Sequence, residues 1–187
     1  MIKIGIIVGS TRPGRKAEAV AQWVLENAKA YRNDINFEIV DIKDYNLPLL
    51  DEAVPASYQN YQNEHTKRWA AKIGELDGFI FVTPEYNHAP SGALKNAIDF
   101  LFAEWNNKAA GFVSYGSAMG VRAVEHLKLI MCELMVANVR TQVMLSLFTD
   151  FENFSKLTPA PYQIDSLKPM IDQLASWTEA LKVLREK

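Results

Sequence analysis

Residues 4–16 read IGIIVGSTRPGRK, an apolar run that passes directly into a basic loop with two glycines. Such runs are typical of strands that are buried on both faces of a parallel sheet. In the segment that follows, Ala17 to Ala30, apolar side chains recur at helical spacing. These residues therefore predict a strand, a tight loop and a helix, the first unit of an alternating α/β fold.

Strand and helix patterns continue to alternate along the chain. We predict strands over Ile4–Val8, Phe37–Ile42, Phe79–Val82, Ala110–Tyr115 and Arg140–Leu147. We predict helices over Ala17–Ala30, Gln62–Gly74, Leu94–Phe102, Val121–Val136 and Ser166–Leu184. Five strands favour a flavodoxin-like three-layer fold, with a parallel sheet in the order 2-1-3-4-5. We expect residues 1–187 to form one such domain, with its ligand beyond the carboxyl ends of the strands.

The composition is that of an ordinary globular chain, with 49% hydrophobic and 22% charged residues. A formal net charge of −2 lacks the basic excess of a nucleic-acid binder. No apolar segment is long enough to span a bilayer, and the first residues lack the regions of a secretory signal. The single cysteine, Cys132, excludes an internal disulfide, and we expect it to be buried. We therefore expect a cytoplasmic protein without nucleic-acid or membrane partners.

The loop over residues 9–16 has the groups of an anion site. Ser10 and Thr11 offer hydroxyl donors, and Arg12, Arg15 and Lys16 supply positive charge. The helix that follows directs the partial positive charge of its first amides to the same place. A solvated basic turn is the alternative, but three cations at a helix N-terminus are unfavourable for the helix dipole. The loop therefore predicts a phosphate site.

Two phosphate-binding motifs fit this loop poorly. The dinucleotide fingerprint requires a second glycine at position 11, where this chain has Thr11. The nucleoside triphosphate loop requires a lysine followed by a hydroxyl, where this chain has Arg15 and Lys16. A single terminal phosphate, bound by hydroxyls, amides and arginine, is the remaining interpretation.

A second loop follows the predicted third strand and reads TPEYNHAPSGALKNAID over residues 83–99. Two prolines stiffen it and place polar side chains at the edge of the sheet where ligands bind. Ser91 is a plausible N-cap for the next helix, and Lys95 and Asp99 are spaced for an ion pair.

The run from Thr83 to Phe100 closely resembles the NAD(P)H-dependent FMN reductases, a family of flavodoxin-like enzymes. The first loop resembles that family as well, and so, more loosely, does the segment over residues 44–52. The resemblance implies that the first loop binds the phosphate of FMN and that the two later loops contact its isoalloxazine ring. The residues implied for the phosphate are Ser10, Arg12, Arg15 and Lys16. Those implied for the ring are Pro84, Glu85, Tyr86, Asn87, Tyr115, Gly116 and Ser117.

The resemblance implies an oxidoreductase that takes hydride from NADPH or NADH and passes electrons to a small-molecule acceptor. A quinone, an azo compound, a metal oxyanion or free flavin would be that acceptor. A flavodoxin-type electron carrier and an FMN-binding module without nicotinamide turnover are the alternatives. His65, His88 and His126 lack the spacing of metal ligands, and no nucleophile–base pair is visible. We therefore predict no metal site and name no catalytic side chain.

Two regions bear on assembly. The predicted third and fourth helices are apolar on more than one side, which favours a homodimer or a dimer of dimers, while deep burial within one chain is the alternative. The connection over residues 148–161 is long, and we expect it to contact a partner subunit or border the active site.

Overall fold

In the computed structural model, which describes residues 1–186, five parallel strands form the central sheet in the order β2-β1-β3-β4-β5. This is the predicted order. The strands of the sheet are β1 (Lys3–Val8), β2 (Asn36–Asp41), β3 (Gly78–Pro84), β4 (Lys108–Gly116) and β5 (Val136–Ser146). The helices are α1 (Ala17–Tyr31), α2 (Glu64–Gly74), α3 (Gly92–Asp99), α4 (Val121–Glu133) and α5 (Tyr162–Arg185). A small antiparallel hairpin, β6 (Phe151–Glu152) and β7 (Lys156–Leu157), lies outside the sheet.

Each face of the sheet has its own hydrophobic core. Val24 of α1 and Leu174 of α5 belong to one core, and Trp69 of α2, Ile98 of α3 and Leu127 of α4 belong to the other. The two central strands, β3 and β4, are buried along their whole length because both faces are covered. Helices on both faces complete the three-layer arrangement that the sequence predicts.

Several predicted boundaries are wrong around α4. The helix ends at Glu133 rather than Val136, and β5 begins at Val136, four residues before Arg140. Met135 reverses the chain with a φ of 53°, a value that the apolar pattern does not reveal. Apolar residues at this junction fit a buried helix and a buried strand equally well. Cys132, on the last turn of α4, is exposed, so the expectation of a buried cysteine is also wrong.

Other boundaries differ by a turn or less. Helix α3 ends at Asp99 rather than Phe102, and α5 begins at Tyr162, four residues before Ser166. The predicted ion pair between Lys95 and Asp99 is present, with Nζ and Oδ2 2.5 Å apart. None of the helices within residues 1–186 has the length and apolar character needed to cross a membrane.

A buried lysine occupies the end of the sheet away from the carboxyl ends. Lys108 opens β4 and is only 3% exposed. Its ammonium nitrogen donates to the carbonyl of Ile73 at 2.7 Å and to that of Gly74 at 3.2 Å, the last two residues of α2. Burial lowers the pKa of Lys108 to about 7, and a nearby Arg185 acts in the same direction. A neutral amine still has two N–H groups, enough to donate to both carbonyls.

The low pKa of Lys108 predicts a characteristic dependence of stability on pH. Its amine titrates near pH 7 in the folded protein but near 10.5 in the unfolded chain, so unfolding between these values takes up a proton. The free energy of unfolding should therefore rise with pH, by up to about 1.4 kcal/mol per pH unit. Urea titrations from neutral to alkaline pH should show this rise in the wild type and lose it in Lys108→Met. Lys29→Met, on the exposed side of α1, controls for the lost charge. If the free energy of unfolding depends on pH in the same way in all three proteins, the low pKa of Lys108 is contradicted.

Candidate functional site

The loop after β1 lies unusually close to β3. The amide of Gly9 donates to the carbonyl of Val82 at 2.8 Å. A Cβ at this position would lie 2.7 Å from that same oxygen and 2.8 Å from Leu94 of α3. Only glycine fits, because the neighbour is backbone and cannot move aside.

Ser91 fastens the same loop to the start of α3. Its hydroxyl accepts from the amide of Leu94 at 3.0 Å, which confirms the predicted N-cap. The hydroxyl also donates to the carbonyl of Gly9 at 2.6 Å. One side chain thus holds together the loop after β1 and the loop after β3.

A cleft of about 260 Å³ opens where the loops after β1, β3 and β4 meet. It contains every predicted site residue except Ser10 and Asn87, together with three residues that were not predicted. Its lining residues are Arg12, Pro13, Gly14, Arg15, Lys16, Pro84, Glu85, Tyr86, Tyr115, Gly116, Ser117 and Leu147. The cleft lies beyond the carboxyl ends of the central strands, at the switch point of the sheet.

Ser10 and Asn87 support the cleft from outside its wall. Ser10 is fully buried, and its hydroxyl lies 3.1 Å from the hydroxyl of Tyr86, which lines the cleft. Asn87 and His88 have φ values of 49° and 76° and form a turn that is closed by hydrogen bonds between Tyr86 and Ala89. Two positive φ values are typical of a type I′ turn, in which asparagine is well tolerated. Asn87 therefore shapes the turn that presents Tyr86.

The three cations of the first loop have different roles. The Arg15 side chain is only 4% exposed, and its guanidinium donates to Asp41 at the end of β2, to Glu18 and to the carbonyl of Ser10. Arg12 and Lys16 have no carboxylate partner among residues 1–186. The guanidinium of Arg15 thus ties the loop to β2, whereas Arg12 and Lys16 keep their charges available to the cleft.

Glu85 is held by an arginine that the sequence analysis did not single out. The Glu85 side chain is 5% exposed and accepts from Nε of Arg122 at 2.5 Å and from its backbone amide at 3.2 Å. Burial alone would raise the pKa of Glu85, but the contacts with Arg122 outweigh it and lower the pKa. The carboxylate therefore stays ionised and caps the first turn of α4. Arginine in the first turn of a helix is unfavourable for the helix dipole, and that signal could have found Arg122.

The family model for NADPH-dependent FMN reductase matches residues 2–150. The chain belongs to this family. The match covers all three loops around the cleft, and it confirms the resemblance that the first two loops predict.

Two curated relatives and one solved structure show the range of this likeness. The NAD(P)H-dependent FMN reductase ntnL of Nectria sp is 37% identical, over 97% of this chain and 90% of the relative. A quinone reductase of Pseudomonas putida is 29% identical, over 94% of both chains. The solved structure is that of FerB from Paracoccus denitrificans, a flavoenzyme NAD(P)H:(acceptor) oxidoreductase. It matches 96% of this chain and 98% of the FerB chain, with a TM-score of 0.73 and 19% sequence identity. At 19% sequence identity, this structural similarity shows a shared flavodoxin-like fold and nothing further.

In this reductase-family chain, two tyrosines form much of the aromatic wall of the cleft. Burial, reinforced by the neighbouring Tyr86, raises the pKa of the Tyr115 phenol, so Tyr115 is neutral at physiological pH. Tyr86 is held at its hydroxyl by Ser10. Within residues 1–186, no group of three or more histidine, cysteine, aspartate and glutamate side chains is placed to hold a metal ion. The cleft therefore combines cationic side chains with the aromatic surface of two tyrosines.

Proposed function

We propose that the protein oxidises NADPH or NADH and reduces small organic acceptors, with FMN as its cofactor. Membership of the FMN reductase family establishes the oxidoreductase class. The cleft itself supports the proposal, because Arg12 and Lys16, which have no carboxylate partner within residues 1–186, line it together with Tyr86 and Tyr115. FMN carries an anionic phosphate and a planar ring system, and the cleft offers cations for the first and aromatic surface for the second.

The phosphate would be bound by Arg12 and Lys16 at the start of α1. The N-cap residue of α1, Lys16, makes no side-chain capping hydrogen bond, so the first amides of the helix are available to an anion. Arg15 and Ser10 would act indirectly, since Arg15 is already bonded to Asp41 and Ser10 is buried beneath Tyr86. This divides the predicted phosphate residues into two that bind and two that shape the loop.

The ring would lie against Pro84, Tyr86 and Tyr115, with Gly116 and Ser117 on the third side. Bound FMN supplies the redox chemistry, whereas the protein supplies binding and orientation. Glu85 would keep the second loop in place through Arg122. The acceptor would be a quinone, as for the relative from Pseudomonas putida, with azo compounds, metal oxyanions and free flavin as further candidates.

Anaerobic stopped-flow spectroscopy tests the proposed reaction directly. When the FMN-loaded protein is mixed with NADPH or NADH, the visible flavin absorbance should fall, and later addition of benzoquinone should restore it. Protein mixed with buffer alone is the control. If the flavin stays oxidised with both nicotinamides, the protein would instead be an electron carrier or an FMN-binding module.

Arg12 should contribute directly to FMN affinity. Arg12→Ala removes an unpaired cation from the cleft and should weaken FMN binding by roughly tenfold, the scale of one charge-assisted hydrogen bond. Lys29→Ala removes an exposed cation from the far end of α1 and should leave the affinity unchanged. Fluorescence titration of FMN measures both dissociation constants. Equal affinities for the wild type and Arg12→Ala would exclude the proposed phosphate contact.

We also propose that the protein is a cytoplasmic homodimer or a dimer of such dimers. The free, exposed thiol of Cys132 suits a reducing compartment. The apolar residues of α3 lie mainly in the chain's own core, but α4 keeps Leu129 exposed at 73%, and Met135 follows at 52%. A groove beside α4 is lined by the partly buried Phe102 and Ile130. These residues would form the subunit interface.

The interface is tested by adding a charge to it. Leu129→Glu should shift light scattering from twice the chain mass toward 21.1 kDa, because a buried unpaired carboxylate would oppose association. Val183→Glu, at an exposed position on α5, should leave the mass unchanged. A wild-type protein that scatters as a single chain would contradict the dimer.

A further inference from the structure

The segment after β5 is built around a buried carboxylate. Asp150 is fully buried, and its carboxylate accepts from the amides of Ser146 at 2.8 Å and Ala160 at 2.9 Å, and from the side chain of Gln163 at 3.2 Å. Its backbone carbonyl accepts from the amide of Thr158 at 2.8 Å. A buried carboxylate with this many donors fixes both ends of the segment. The hairpin β6–β7 is thus an ordered structure rather than a loose connection.

The same segment is continuous with the wall of the cleft. Leu147 lines the cleft, and its amide donates to the carbonyl of Gly116, another wall residue, at 3.1 Å. Phe151 is buried and packs against Tyr115, with ring centroids 6.1 Å apart. Residues on both sides of Phe148 are therefore fixed relative to the cleft, and Phe148 itself directly follows a wall residue.

Two phenylalanines of this ordered segment remain in solvent. Phe148 is 65% exposed and Phe154 is 56% exposed. Their rings meet edge to face, with centroids 5.6 Å apart and planes at 86°. Exposed aromatic pairs of this kind leave apolar surface in water, which is unfavourable unless a ligand or a partner covers it.

Phe154 also has an unfavourable backbone conformation. Asn153 and Phe154 have φ values of 51° and 52°, and the turn is closed by a 3.0 Å hydrogen bond from the amide of Ser155 to the carbonyl of Glu152. The second central position of such a turn favours glycine, and a bulky residue with positive φ is strained. The turn therefore loses stability in order to hold Phe154 against Phe148, which points to a functional reason.

We propose that Phe148 and Phe154 determine specificity for planar aromatic acceptors by contacting them at the mouth of the cleft. The proposal rests on the proposed function, since the acceptor is the second substrate of that reaction. An aromatic ring offers a flat acceptor a stacking or edge-to-face contact. Leu147 lines the cleft and Phe148 directly follows it, which would place the pair within reach of an acceptor that projects from the cleft. Inorganic oxidants without an aromatic surface would gain nothing from it.

Binding of 1,4-naphthoquinone to the oxidised, FMN-loaded protein tests this without turnover. Phe148→Ala and Phe154→Asn should each raise the dissociation constant about threefold to tenfold, the scale of one aromatic contact. Phe154→Asn suits the positive φ and should not lower the melting temperature, so weaker binding cannot be ascribed to unfolding. Trp177→Ala is the matched control. Trp177 is also an exposed aromatic residue, but its neighbour Thr178 packs against Gly78 at the amino end of β3, the end of the sheet away from the cleft.

Activity separates this proposal from the proposed function. Both phenylalanine variants should lose kcat/KM for naphthoquinone by the same factor but keep the wild-type value for ferricyanide and the wild-type rate of flavin reduction by NADPH. Failure of both NADPH and NADH to reduce the wild-type flavin would overturn the proposed function, while the binding titration would still test the aromatic contact. Undetectable naphthoquinone binding, unchanged affinity in both variants, equal loss with both acceptors, or a changed oligomeric mass in the variants would each overturn the specificity role.

Discussion

The close approach of the first loop to β3 is the constraint on which the cleft depends. With no side chain at Gly9, the backbone of the loop reaches the carbonyl of Val82, and Ser91 then bonds to both the loop and α3. A larger residue would push the loop outward against backbone that cannot yield. Because β1 and β3 flank the switch point of the sheet, their loops form one continuous surface only when this contact is made.

Arg15 adds a second constraint, on the other side of the same loop. Its guanidinium bonds to Asp41, so the loop is held between β3 and the end of β2. Paired and buried, this charge helps to maintain the loop rather than to attract a ligand. Within the described residues 1–186, Arg12 and Lys16 have no carboxylate partner, so their charges remain at the rim, where they can neutralise an anion at lower desolvation cost. The three neighbouring cations therefore have different roles because their partners differ, and not because their residue types differ.

Much of the fold could be predicted because β1, β3 and β4 are buried on both faces and read as nearly continuous apolar runs. The strand order and the positions of the three loops follow from that pattern and from the rules of parallel sheets. Around Met135 the same reasoning fails, since apolar residues continue while the backbone reverses. Most of the residues that line the cleft were predicted from the sequence, but not which of them pair with one another. Pairing of Arg15 with Asp41 and of Glu85 with Arg122 joins residues 26 and 37 positions apart, which no local pattern shows.

The two ends of the sheet each enclose an ionisable side chain, Lys108 at the amino end and Glu85 at the carboxyl end. Only Glu85 stays ionised, and its fixed partner makes it compatible with an anion site. At the amino end, Lys108 is enclosed by carbonyls and loses its proton near neutrality. At the carboxyl end, the Glu85 side chain is 5% exposed but remains charged, because it accepts hydrogen bonds from the side chain and the backbone amide of Arg122. Because the charge of Arg122 compensates that of Glu85, Glu85 does not offset the positive charge of Arg12 and Lys16. An acidic side chain can therefore lie in the wall of the cleft without repelling a phosphate, provided that its own partner is fixed by the fold.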